Sequence, residues 1–406
     1  MCRAPVGYRQ SARAQPRFGV ILEELHAVLM SLVEDFRLST NVMSSMLPIF
    51  AGRRVDKVAT PFLHCPGPRR RIRMKCINVC AALVALAASS AQPALAQTTA
   101  RLSYHWAPSH ESAIMSKKLS DEVTKRSGGK LKIDVFPSGQ LYTIRQIIGA
   151  LSAGSVEMGG VVTHNQLPAV EKDWNVFQLP NVWESIEHQR RFLAESPEGK
   201  AMRERVLQKT GMAHVAYVPV GPYVLFSAKD SLSSLAAMKG LKARALAASE
   251  RPGLAARGMS VVSLSTEEIY SALQSGMIDT LATVPTAIKA YSWWDYLKVA
   301  QLPSAVYADS ELMANAKWLA GLPGDQRDVL LSVGREISKE ATAQTYTGNA
   351  EALKELAEKH GGKIVTLQGK ALEEIKALDR EKTEPELAKL MSPEIFAAAK
   401  RFVGRK

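Results

Sequence analysis

The chain has 406 residues, of which 46% are hydrophobic and 22% charged, and its formal net charge is +13. The positive excess sits early: residues 1–96 hold 13 Lys and Arg against 5 Asp and Glu, while residues 97–406 hold 39 against 34, a net of +5. With Lys and Glu alternating in stretches such as Lys354 to Lys359, that balance describes solvated helix faces and excludes the basic stripe of a nucleic-acid-binding surface.

The sharpest local signal runs from Met74 to Ala96. A cationic start (Arg69 to Arg73), an apolar stretch too short to span a bilayer and a small-x-small ending, Ala94-Leu95-Ala96, are the parts of a secretory signal. On this expectation the working chain is exported to the periplasm and begins near Gln97. Residues 1–73, a scatter of Arg and Pro with one short apolar patch, read as an over-extended start or a disordered segment. All four cysteines, Cys2, Cys65, Cys76 and Cys80, precede Gln97. The exported part would therefore hold no disulfide and depend on its core alone, and its length suffices for one large or two medium domains.

Beyond Gln97 the pattern alternates. Residues 101–106 predict a strand, and Glu111 to Arg126 a helix with Ile114, Met115, Leu119 and Val123 at helical spacing, stopped by Ser127-Gly128-Gly129. Strands are predicted at Leu131 to Phe136 and Met158 to Thr163, with a helix from Thr143 to Ala153 between them. From Gly211 the pattern repeats: strands at His214 to Val220, Val224 to Ser227 and Lys242 to Leu246, then a helix from Thr266 to Ser275. Pro323 to His360 reads as one long helix, too long for a single domain, closed by Gly361-Gly362. These periods predict an α/β fold with two largely parallel sheets. No apolar run after residue 96 is long enough to span a membrane.

Catalytic signatures are missing. There is no G-x-S-x-G elbow, no H-E-x-x-H, no P-loop and no cysteine nucleophile. Ser127-Gly128-Gly129-Lys130 fits S-x-x-K on paper but is ordinary turn chemistry at a helix end. His105 and His110 lack a nearby third ligand and make a poor zinc site. No enzyme, cofactor or metal is expected. Anion recognition needs less, because one Arg at the end of a buried strand offers a bidentate fork to a carboxylate. Arg244, running out of Gly240-Leu241-Lys242-Ala243, is placed for that; a surface Arg is the alternative.

Several segments together resemble the solute-binding proteins of tripartite ATP-independent periplasmic (TRAP) transporters, the DctP-type family. They are the opening around His105, Pro108 and His110, Ser127 to Ile133, Phe136 to Leu141, Leu179-Pro180 followed by Glu187-His188, Met238 to Arg244, and Thr266 to Gly276 followed by Asp279. The last two are the most specific, and the resemblance covers essentially residues 99–400. It implies a bilobed periplasmic-binding-protein fold: lobe I from residues 97–220 with part of 309–350, lobe II from 221–308 with part of 351–406, and the helix 323–360 bridging them.

By the same resemblance, Arg244 pairs with a ligand carboxylate, and His105, Thr163, Tyr223, Thr266 and Thr283 are further pocket candidates. Where many members carry D-G-Q-E-N-P, this chain has Asp279 to Pro285, so Thr283 stands in for a ligand-contacting Asn. Some members place a second Arg where this chain has Gly221-Pro222-Tyr223, which leaves Arg145 or Arg251 to meet a second anionic group. Trp106, Trp183, Tyr223, Trp293 and Trp294 fall near cleft segments. One carboxylate anchor with aromatic walls favours a monocarboxylate with an apolar body over a small dicarboxylate. The implied partners are a small organic acid and the permease subunits of a TRAP transporter; a ligand-presenting subunit of a membrane sensor kinase and a periplasmic enzyme are the alternatives.

Overall fold

The computed structural model describes residues 97–230 and 232–404; residues 1–73, the signal-like segment 74–96 and the four cysteines lie outside the described residues. The strands are β1 (Thr98–Ser103), β2 (Leu131–Phe136), β3 (Met158–Val162), β4 (Met212–Tyr217), β5 (Gly221–Ser227), β6 (Lys242–Ala245), β7 (Ser260–Ser263), β8 (Thr280–Thr283), β9 (Val299–Ala308), β10 (Ser310–Asn315) and β11 (Lys363–Thr366). They form one sheet in the order β2-β1-β3-β10-β4 and a second in the order β11-β9-β5-β8-β6-β7.

Both sheets are mixed, not largely parallel as expected. β1 runs parallel to β2 and β3, but β10 lies antiparallel between β3 and β4. In the second sheet β6 is parallel to β7 and β8, and β11 to β9, whereas β5 is antiparallel to β8 and β9. The reversed strands are β10 in the first sheet and β5 in the second, each entered directly from the other sheet, and β10 falls in the segment 299–315, which periodicity left unassigned. There the chain passes from β9 in one sheet to β10 in the other through the single residue Asp309.

Local chemistry accounts for the better-marked elements. The helix Glu111–Arg126 starts at His110, whose Nδ1 accepts from the Ser112 N–H, and ends at Ser127 before Gly128 and Gly129, both at positive φ. Every residue of β3 is buried, and its glycines admit neighbours that no Cβ would allow. A Cβ on Gly160 would lie 2.4 Å from Cζ3 of Trp106.

The long helix, Gly324–Lys359, has 36 residues and so spans about 54 Å. Its buried positions, among them Leu330, Val333, Ile337, Ala341, Thr345, Asn349, Ala352 and Leu356, recur every three or four residues and form one stripe. Gly334 lets the backbone of β4 approach, since a Cβ there would sit 2.3 Å from the Val215 carbonyl oxygen. Ser338 Oγ accepts from the Tyr217 N–H at 2.8 Å. Farther along, Asn349 donates to the Val220 carbonyl at 2.8 Å and accepts from the Thr286 N–H at 3.1 Å. The helix thus follows the chain from β4 across Val218-Pro219-Val220 to elements of the second sheet.

Candidate functional site

Between the two sheets lies a cavity with about 440 Å³ of empty space, part of it open to solvent. The first sheet contributes the segment after β1, with His105, Trp106 and His110, and the end of β3, with Val162 and Asn165; the second contributes Tyr223 on β5, Arg244 on β6 and Thr283 on β8. Thr266, Ile269, Tyr291 and Trp293 complete the wall.

Arg244 is the centre of its electrostatics. β6 lies between β8 and β7, so Arg244 sits opposite Leu281 and Val262 and is only 3% exposed. Its Nε donates to the Leu264 carbonyl at 3.0 Å, and its buried Nη2 meets no hydrogen-bond partner among the described residues. Other well-shielded arginines are paired with carboxylates: Arg190 with Asp309 at 2.6 Å, Arg203 with Glu311 at 3.0 Å and Arg257 with Asp379 at 3.0 Å. Arg244 has no such pair among the described residues. A buried cation lacking its carboxylate is costly unless an anion arrives from outside.

Glu250 does not fill that place. Its Oε2 accepts from the Leu246 N–H at 2.6 Å and its Oε1 from Asn165 Nδ2, and Asn165 Oδ1 accepts from the Tyr223 hydroxyl at 3.2 Å. Burial raises this carboxyl above its ordinary range, with the Arg244 charge pulling in the opposite direction. The two histidines add no charge. Burial lowers His105 to about 3, helped by His110 and Arg244, and lowers His110 to about 4. Both rings are neutral at physiological pH, and His105 Nδ1 is buried without a partner. Among the described residues no group of three or more His, Cys, Asp and Glu is arranged to hold a metal ion.

Of the residues anticipated from sequence, the cavity brings together Arg244, His105, Tyr223, Thr266 and Thr283. Thr163 is not among its lining residues. The chain turns helical after Val162, and the Thr163 hydroxyl donates to the Asp309 carbonyl at 3.1 Å while Asn165, two residues on, faces the cavity. A strand continued through Thr163 would have hidden that rotation. Arg145 and Arg251 also stay outside: one donates to Ser263 Oγ at 3.4 Å, the other to the Val261 carbonyl at 3.3 Å, both exposed on β7.

Among the aromatics, Trp106, Tyr223 and Trp293 line the cavity. Trp183 packs instead against Phe177 and Phe192 and donates to the Val176 carbonyl. Trp294 stacks on His360 at 3.8 Å. Asn165 and Glu250 were not anticipated, because nothing local in sequence marks a polar pair that forms between segments 85 residues apart.

A second void of about 920 Å³ shares Tyr223 with the first. It is lined largely by aliphatic side chains such as Leu254, Leu372 and Ile375, and its Arg257 is already paired with Asp379. Its other cation, Lys376, is paired with Glu373 at 3.0 Å, so the cavity at Arg244 is the better anion site.

Two mixed sheets with an unpaired buried cation in the cavity between them define a bilobed small-molecule-binding protein. Over residues 102–391 the chain matches the bacterial extracellular solute-binding protein family 7 (DctP), and it belongs to that family, the solute-binding proteins of TRAP transporters. It is 25% identical over 271 residues to the C4-dicarboxylate-binding periplasmic protein DctP of Rhodobacter capsulatus, covering 66% of this chain and 80% of that one. It is 24% identical to the sialic acid-binding periplasmic protein SiaP of Vibrio cholerae, covering 68% and 86%. The fold is shared with DctP7 of Bordetella pertussis, an extracytoplasmic solute receptor binding pyroglutamic acid (TM-score 0.69, 20% identity, 76% of this chain and 100% of that one). It is also shared with the sugar acid binding protein DctPAm of Advenella mimigardefordensis in complex with galactonate (TM-score 0.70, 22% identity, 76% and 98%).

Proposed function

We propose that the protein is a periplasmic receptor that captures an organic acid, closes around it and delivers it to the membrane subunits of a TRAP-type secondary transporter. The observation that carries this is the buried, unpaired guanidinium of Arg244 in the cavity between the sheets. A carboxylate presented to its unpartnered Nη2 would complete a charge-assisted pair. The relatives' recorded ligands, a C4-dicarboxylate, sialic acid, pyroglutamic acid and galactonate, are all acids.

In this reading residues 97–220 with part of 309–350 form one lobe and 221–308 with part of 351–406 the other, hinged at 218–220 and at Asp309, with the long helix alongside. Closure removes water from the Arg244–carboxylate pair and strengthens it, which ties affinity to the closed geometry. Tyr223, His105, Thr266 and Thr283 form the rest of the contact surface. No covalent step is assigned. Export would rest on the segment 74–96, and no helix among the described residues is long and apolar enough to cross a membrane.

Thermal denaturation of the protein against a panel of aliphatic, keto, sugar and aromatic acids tests the binding step. A ligand at 100 times its dissociation constant stabilises by about 2.7 kcal/mol. The expected result is a rise in Tm with one acid class, lost in Arg244→Met. No shift with any acid, or a shift that survives Arg244→Met, overturns the assignment. Uptake by proteoliposomes holding the TRAP membrane subunits, with and without the protein, tests delivery.

A further inference from the structure

The geometry points to a second binding site, independent of the acid site and of the function proposed above: the void on the other side of Tyr223 takes a small uncharged apolar molecule, about the size of toluene. Of its 920 Å³ of empty space, about 130 Å³ is open to the centre of a water-sized sphere. Aliphatic cavities of comparable volume, about 150 Å³, stay dry and bind benzene or xenon.

The fold builds this void. The second sheet contributes Tyr223 and Leu225 of β5, Ala282 of β8 and Val306 of β9, and later helices contribute Leu254, Leu372 and Ile375. The ladder between β5 and β9 breaks at this point. Tyr223 pairs with Val306 and Leu225 with Gln301, so four residues of β9, 302–305, stand against Val224 alone. Pro303 and Ala305, both within that bulge, line the void. The released backbone is supported: the Ala305 carbonyl accepts from the Asn181 N–H at 2.7 Å, and the Ser304 hydroxyl donates to the Tyr223 carbonyl at 2.7 Å. Bulges held in this way are features of a fold and gather beside functional sites.

The wall selects against charge. Its four charged side chains, Glu250, Arg257, Lys376 and Asp379, are all committed. Arg257 pairs with Asp379 and Lys376 with Glu373, both at 3.0 Å, while Glu250 accepts from the Leu246 N–H and from Asn165. The amides are committed as well: Gln178 donates to the His164 carbonyl at 3.0 Å, Asn181 to Asp379 at 3.4 Å and Gln301 to the Leu232 carbonyl. The hydroxyls of Tyr223 and Thr383 donate to Asn165 at 3.2 Å and to Asp379 at 3.0 Å. Ser249, 4% exposed, is the one wall residue with a buried side-chain polar atom lacking a partner among the described residues. An ion entering here would lose its water and meet no free counter-charge. An apolar molecule has no such cost and gains dispersion contacts with the aliphatic wall.

Thermal denaturation with toluene and with benzoate, which has the same ring and a charge, tests the site in the wild type and in Arg244→Met. Toluene is expected to raise the Tm of both proteins equally, saturating with concentration, while benzoate leaves Arg244→Met unchanged. Ala282→Leu, opposite Leu225 on the neighbouring strand, enlarges a wall residue and should abolish the rise; Leu372→Trp should do so from the helix side. Intermolecular NOEs from toluene to the methyl groups of Leu372 and Ile375 place the probe even where neither variant folds. No rise with toluene, a rise lost in Arg244→Met or undiminished in the filled variants, benzoate acting as strongly as toluene in Arg244→Met, or NOEs only to other methyl groups overturns the second site. None of these outcomes touches acid binding by the wild type, which the acid panel judges separately.

Discussion

Arg190 holds Asp309 with both prongs of its guanidinium, Nε to Oδ2 at 2.6 Å and Nη2 to Oδ1 at 2.7 Å, at the one residue that separates β9 from β10. The third nitrogen reaches Thr342 of the long helix at 2.7 Å. A single ion pair therefore ties together the strand passage between the sheets, the helix Ile186–Glu195 and the long helix. Arg244 has the same fork and is buried more deeply, but no carboxylate among the described residues pairs with it. The comparison separates a structural arginine from a recognition arginine by whether the chain supplies its own anion.

Breaking the first kind should harm the fold. Arg190→Ala leaves Asp309 buried and unpaired and is expected to destabilise by about 3–5 kcal/mol. Urea denaturation followed by circular dichroism measures it. An effect below about 1 kcal/mol would mean that the pair is screened and contributes as a surface bridge does.

Breaking the second kind should do the reverse. Replacing Arg244 by Met removes an unsatisfied buried donor and fills the space with apolar atoms, so the ligand-free protein should gain about 1–3 kcal/mol. Ligand-induced stabilisation should vanish in the same variant. A ligand-free protein less stable than wild type would show that the Nε bond to Leu264 outweighs the unpaired charge.

Asn349 is placed to couple the two sheets. Its side chain serves the Val220 carbonyl just before β5 and the Thr286 N–H in the helix Pro285–Ala290. Asn349→Ala leaves both backbone groups without their partner and is expected to cost about 1–3 kcal/mol for each group kept from water. Hydrogen exchange at Thr286 should accelerate relative to amides of β1. Unchanged protection there would show that another group or water replaces the side chain.

Glu111 predicts a pH dependence. Burial and the neighbouring Glu351 raise its carboxyl from an ordinary 4.5 to about 7, with Lys289 opposing. Between those values the folded state holds a proton that the unfolded state has released. Glu111 therefore contributes stability that is fully present below pH 4.5 and lost as pH rises through about 7. Glu111→Gln should flatten this decline in Tm over that interval. An identical decline in the variant would place its source elsewhere.

Much of the fold was legible because it is written in short-range chemistry. Ser127-Gly128-Gly129 stops a helix wherever it stands, and Gly324–Lys359 keeps buried positions three or four residues apart along its length. Those signals survive in sequence because the interacting positions lie three or four residues apart. β9 and β10 were not legible. Their segment changes sheets at Asp309, and no periodicity describes a strand whose neighbours change midway.

Sequence by itself determined the family of the protein, the place of Arg244 at the exit of a buried strand and the absence of motifs for covalent chemistry. Tertiary structure alone decided that Arg244 meets no carboxylate among the described residues, that Asn165 and not Thr163 turns toward the cavity, and that Trp183 belongs to the core while Trp106 lines the site. The physical reason is range. Turns, caps and helical stripes are settled between near neighbours, whereas the pairing of a buried charge depends on every segment that folding brings within a few ångströms of it.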